Sequence, residues 1–176
     1  VMWDVLLIQE FTGAKEVEKF MTSTAHGLFV APPSAGSRAC SILIHQSILH
    51  CLIADTLIIK DRAISVCMHW EGWNVCLISG HLTADHIRVR YKNSIQEIQD
   101  IIESKSKQKS FQKAAFWDRS LLSRKIYHII GIDANTSIGK PQSTEEAVYI
   151  GKAVENKSRD WKGNQFIEFV KDNGLK

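Results

Sequence analysis

Two runs of strand-forming residues, Ile64 to His69 and Asn74 to Ser79, flank Trp70-Glu71-Gly72-Trp73. This pattern constrains the fold more than any other in the chain. A two-residue Glu-Gly loop turns one strand back on the other, and Gly72 suits the positive φ that such a loop needs. The register follows: Trp70 faces Trp73, His69 faces Asn74 and Cys67 faces Cys76. Cys67 and Cys76 then occupy a non-hydrogen-bonded pair, the closer kind. Cysteines 40, 51, 67 and 76 show no C-x-x-C spacing, which disfavours a zinc ribbon or thioredoxin-type site. A reducing compartment is the default for such a set. Buried thiols at 67 and 76 are therefore expected, with a disulfide as the alternative.

Other apolar runs supply the remaining elements. Residues 4–9, Cys40 to His45, Leu57 to Ile59 and Ile126 to Asp133 read as strands. Lys15 to Met21 carries Val17, Phe20 and Met21 at helical spacing, so a short helix is expected. Residues 31–36 are loop by their Pro and Gly content. Arg88 to Glu103 predicts a helix with an Ile95, Ile98, Ile102 stripe. Thr136 to Lys162 reads as a long loop, and Gly163 to Asn173 as a helix with Gly174 at C′. The order predicts an α/β layered sandwich with a mixed sheet.

Composition agrees. The 176 residues fit one domain; 44% hydrophobic content permits a core, and 23% charged content argues against disorder. A net charge of +3 is compatible with a polyanionic partner. No apolar run approaches ~18 residues, so no transmembrane helix is expected. Val1 leads almost directly into a strand with neither a basic n-region nor a cleavage site, which is not a signal peptide. Both ends read as lying inside a larger folded unit.

Three strands end in polar side chains: Glu10 after Leu7-Ile8-Gln9, His81 after Ile78-Ser79-Gly80, and Asp133-Ala134-Asn135 after Ile130-Gly131-Ile132. A carboxylate is the hard oxygen ligand that Mg²⁺ favours. Asp133 and Asn135 together offer an acceptor and a donor. An imidazole can bind a phosphate oxygen or protonate a leaving group. Each has a plainer reading: a solvated strand-end acid, an Asx turn, or an ordinary member of the chain's seven histidines.

In combination these ends resemble the endonuclease/exonuclease/phosphatase superfamily, the deoxyribonuclease I-like fold. Leu7-Ile8-Gln9-Glu10 is similar to its L-x-Q-E metal motif, and Ile78-Ser79-Gly80-His81-Leu82 to its strand ending in His-Leu. Ile132-Asp133-Ala134-Asn135 resembles its G-D-x-N strand end, with Ile132 in the usual glycine position and Gly131 one residue earlier. Gly163 to Leu175 resembles the helix that follows, with Phe166 in a leucine position. The closest flavour is the endonuclease domain linked to non-LTR retrotransposons.

The resemblance implies a four-layer α/β/β/α sandwich with mixed, largely antiparallel sheets. It implies one domain over residues 1–176 that lacks the family's first and last strands. It implies Mg²⁺- or Mn²⁺-dependent phosphodiester hydrolysis, with Glu10 at the metal, Asp133 on the attacking water, Asn135 on the phosphate and His81 at developing charge. DNA is the implied substrate, in the nucleus or cytoplasm, with a reverse transcriptase domain in the same polypeptide and no membrane. A phosphatase or lipid phosphodiesterase shares the same motifs. A catalytically dead mobile-element fragment is the alternative from another class, because the family's Asn strand and Asp-His strand are not in the chain.

Lys105, Lys107, Lys109, Lys113, Arg119, Arg124 and Lys125 surround Phe111, Phe116 and Trp117. Cations interleaved with aromatics can follow a phosphate backbone and stack on bases. A solvated face with its aromatics packed beneath accounts for the same pattern. Lys105, Lys107 and Lys109 are the candidate nucleic-acid contacts.

Overall fold

A computed structural model describes residues 4–11, 18–21, 27–31, 39–53, 56–106, 126–149 and 158–175. The chain divides into two compact units. One comprises residues 1–81 and 96–133, the other residues 82–95 and 134–176.

The first unit holds two four-stranded sheets among the described residues. The first sheet contains β1 (Val5–Phe11), β2 (Glu18–Met21), β3 (Gly27–Ala31) and β4 (Ala39–Ile44), in the order β1-β4-β3-β2 and antiparallel throughout. The second contains β5 (Ile58–Ile59), β6 (Ala63–Trp70), β7 (Trp73–His81) and β8 (Ile126–Asp133), in sequence order. Its pairs are antiparallel except β7 and β8, which run parallel. This is the mixed, largely antiparallel α/β architecture expected.

The hairpin has the expected register, with Trp70 opposite Trp73 and Cys67 opposite Cys76. Glu71 at φ 48° and Gly72 at φ 82° make the turn. Cys67 and Cys76 form a disulfide across the pair, with Cα atoms 4.2 Å apart. The thiol expectation rested on compartment. Strand pairing brings the two sulfurs together, a constraint that compartment does not capture.

Glu18–Met21 is a strand paired with β3, not the end of a helix. So short an apolar segment has no decisive period. A neighbouring strand satisfies its backbone, whereas an isolated helical turn must first bear a nucleation cost. Residues 15–17 and the Pro-Gly segment 32–36 lie outside the described residues. His45 leaves β4 and caps a short 3-10 turn, Gln46–Cys51, its Nδ1 accepting from the Ser47 backbone N–H at 3.2 Å.

The two sheets share one core. Cys40, Ile42 and Ile44 of β4 pack with Ile64, Val66 and Met68 of β6 and Val75 and Leu77 of β7, joined by Val5 and Leu7 of β1. Burying each large aliphatic chain contributes roughly 1.5–3 kcal/mol. A parallel β7–β8 pair needs a long crossover, and helix α1 (Arg88–Ser106) lies within that connection. Its Ile98 closes on Gly80, where Cδ1 would stand 2.9 Å from an added Cβ. The buried face of α1 runs through Tyr91, Ser94, Ile98 and Ile101, offset from the expected stripe because Ile95 and Ile102 are only half-buried.

The second unit holds the start of α1, helix α2 (Trp161–Asp172) and a 3-10 turn at Glu146–Val148. Asp160 caps α2, accepting from the Gly163 N–H at 2.7 Å and from the Thr136 hydroxyl. Gly163 is required here, since a Cβ would collide with the Ser137 carbonyl. Gly174 follows α2 at φ +59°, the expected C′ conformation.

The segment between β8 and α2 is tied by an ion pair. Arg159 Nη2 and Nη1 donate to Glu146 Oε2 and Oε1 at 2.8 and 3.1 Å, and its Nε donates to the Ile138 carbonyl at 2.7 Å. Among the described residues, no helix is long and apolar enough to cross a membrane.

Candidate metal centre at the strand ends

Glu10 sits where β1 breaks its regular pairing. Ile8 faces Ser41 and Phe11 faces Ala39, so β1 carries one extra residue there. Glu10 adopts φ 57°, a left-handed conformation that is costly for a side chain with a Cβ. In an unbroken strand Gln9 and Glu10 would point to opposite faces. The bulge turns Glu10 so that both reach toward the second sheet.

Gln9 anchors the bulge. Its Nε2 donates to Ser79 Oγ at 3.2 Å and to the Gly131 carbonyl at 3.1 Å. The Ser79 hydroxyl donates to the Ile8 carbonyl at 3.0 Å. One strand of the first sheet is thereby fixed to two strands of the second. Gly131 makes the approach possible, because an added Cβ would stand 2.9 Å from Leu7 Cβ.

His81 and Asp133 close neighbouring strands in register. Their side chains share a face with Ser79 and Gly131, two residues earlier on each strand. His81 Nε2 lies 3.7 Å from Glu10 Oε1 and 3.8 Å from Asp133 Oδ2. The imidazole is nearly buried, at 9% side-chain exposure, whereas the carboxylates are 43% and 41% exposed. The sheet holds the ring, and the acids open to solvent.

The ligand atoms of Glu10, His81 and Asp133 all lie within 4.8 Å of one another. Atoms about 2.0–2.6 Å from one hard cation are separated by roughly 3–5 Å, so the spacing fits one ion. The two carboxylates suit such an ion chemically, with water and substrate oxygens completing its shell, whereas an imidazole is the ligand of softer ions such as Zn²⁺. Cys40 is not a competing thiolate. Burial, with the Arg62 and Asp133 charges acting in opposite directions, pushes its thiol up to about 12.

The structure therefore brings together three of the sequence candidates, Glu10, His81 and Asp133. Asn135 belongs to the second unit. It adopts φ 46°, and its Nδ2 donates to the Leu82 carbonyl at 2.7 Å. That bond ties the residue following β7 to the loop following β8. Lys162, buried at 3% exposure, reinforces it by donating to the carbonyls of Ala84 at 2.8 Å and Asn135 at 3.4 Å. Tyr91 donates to the Ala134 carbonyl at 3.0 Å, and burial raises its phenol's pKa above the ordinary value.

Lys105 lies in the last turn of α1. Lys107 and Lys109 lie outside the described residues. The sequence alone assigns no role to Gln9 or Ser79. The signal was present in Gln9, a carboxamide beside the acid, but its partners are 70 and 122 residues away.

No protein-family model matches the chain, and no curated protein matches it. Among solved structures, the chain is similar to the endonuclease domain of TRAS1, a telomere-specific non-LTR retrotransposon. The identity is 17% and the TM-score 0.49, over 97% of this chain and 58% of that one. The chain spans less than two thirds of the length of the structure it matches.

Proposed function

We propose that the chain is a divalent-metal-dependent phosphodiesterase domain, a nuclease acting on DNA. The observation that supports this reading is the convergence of Glu10, His81 and Asp133, ligand atoms within 4.8 Å, with Glu10 turned inward by a strained bulge. Strain at a solvent-open acid adds nothing to folding and is common at functional sites.

Glu10 would hold Mg²⁺ or Mn²⁺, which when bound would supply Lewis-acid charge at a phosphate oxygen. Asp133 would accept a hydrogen from the attacking water and orient it. The water oxygen bonds to phosphorus as the ester P–O bond breaks. His81, held by the sheet, would donate from Nε2 to an oxygen gaining charge. Asn135, whose Nδ2 donates to the Leu82 carbonyl, would contact the scissile phosphate. A reverse transcriptase domain in the same polypeptide and a nuclear or cytoplasmic site belong to the same proposal. The flanking coding sequence tests the former.

Nicking of supercoiled plasmid, with Mg²⁺ against EDTA, tests the activity. Glu10→Gln and Asp133→Asn should each lower the rate by about 100-fold or more. Full activity of Glu10→Gln, or nicking indifferent to EDTA, would sink the assignment.

A further inference from the structure

The segment after β7 presents an unusual surface. Residues 86–90, His86-Ile87-Arg88-Val89-Arg90, are all exposed, with Val89 at 66% and Ile87 at 49%. Two arginines therefore occupy the start of α1, with no acid in its first turn. Cations there oppose the helix dipole, so helix stability does not account for them.

The two arginines are held differently. Arg90 Nη1 lies 2.8 Å from Asp85 Oδ2, and its charge is balanced. Arg88 lies over the indole of Trp161, with Cζ 5.5 Å from the ring centroid. Trp161 is in turn fixed edge-on by Tyr91, with centroids 5.5 Å apart. No carboxylate among the described residues pairs with Arg88. An aromatic face holds a guanidinium without consuming its N–H donors. Arg88 is thus positioned but not neutralised, and its planar fork suits two oxygens of one phosphate.

We propose that Arg88 on its Trp161 platform, flanked by Ile87 and Val89, grips the phosphate backbone of a nucleic-acid strand. This deepens the nuclease reading and rests on it for the choice of partner. The cation complements a polyanion, and the two aliphatic chains offer contact area beside it.

The test is binding of a fluorescein-labelled DNA duplex to the 176-residue chain by anisotropy. It is done in EDTA, so that no turnover is needed, over roughly 50–300 mM KCl. Arg88→Ala should weaken binding several-fold and reduce the slope of log K against log salt by about 0.9, one phosphate contact. Arg88→Lys keeps the charge and should keep the slope while losing affinity, which separates a lost contact from lost folding. An unchanged slope in Arg88→Ala overturns the inference. So does a wild-type chain that ignores DNA and binds vesicles of phosphatidylserine and phosphatidylcholine. Salt-dependent binding through Arg88 without plasmid nicking leaves this inference standing and removes the catalytic reading. Nicking with an Arg88-insensitive slope does the reverse.

Discussion

Gly131→Ala tests how the core places the candidate metal ligands. In a strand, replacing Gly by Ala ordinarily stabilises, by roughly 0.5–1 kcal/mol. At this position an added Cβ would meet Leu7 Cβ at 2.9 Å, Leu7 Cδ1 at 3.0 Å and Gln9 Nε2 at 3.2 Å. Carbon atoms rest at about 3.5–4.0 Å, so β8 must move from β1 by roughly 0.6–1 Å. Such overpacking costs about 1–3 kcal/mol. The same movement stretches the Gln9 to Gly131 hydrogen bond, at 3.1 Å, which contributes about 0.5–1.5 kcal/mol.

The sum exceeds the propensity gain, leaving a net loss of about 1–3 kcal/mol. For a chain of this size that lowers the melting temperature by roughly 3–10 °C. Glu10 and Asp133 would separate by a similar fraction of an ångström to one ångström, and a misplacement of about 1 Å can cost 100-fold in rate. Calorimetric melting and Mn²⁺ titration of the same variant measure both effects. A Gly131→Ala chain that melts higher than the parent and binds Mn²⁺ equally well would refute the reasoning.

Two further outcomes follow from other parts of the fold. The Arg159 hydrogen bonds, with the Gln142 backbone N–H, hold the Glu146 carboxyl down at about 2. A lowered carboxyl stabilises the folded state above its unfolded value near 4.5, and that contribution is lost as pH falls toward 2. Acid titration followed by circular dichroism should show this loss in the parent chain and not in Glu146→Gln; identical acid profiles would count against it. Reducing the Cys67–Cys76 disulfide, nine residues apart, should remove about 2–3 kcal/mol by freeing the unfolded chain. Chemical unfolding with and without a phosphine reductant measures that, and coincident curves would contradict the bond's role.

Much of the fold is legible in the sequence because its rules are local. The Glu71-Gly72 loop fixes the hairpin register through the φ values available at two residues. Gly174 ends α2 because glycine takes a left-handed conformation without penalty. The polar residues closing β1, β7 and β8 are visible as the ends of apolar runs. Glu18–Met21 is not legible as a strand, because a few residues fit either period. The tie between Glu146 and Arg159 is not legible at all, since nothing in a loop's composition reveals an ion pair 13 residues apart.

The sequence by itself determined which side chains stand at the strand ends and how the central hairpin pairs. Tertiary structure decided that Glu10 turns inward, that Gln9 locks it to a strand 122 residues distant, and that Gly131 leaves room for both. It also decided that Arg88 rests on Trp161. The division has one physical cause. Turn chemistry and periodicity act over a few residues, whereas a bulge, a close approach or a stacked cation depends on atoms that another part of the chain supplies.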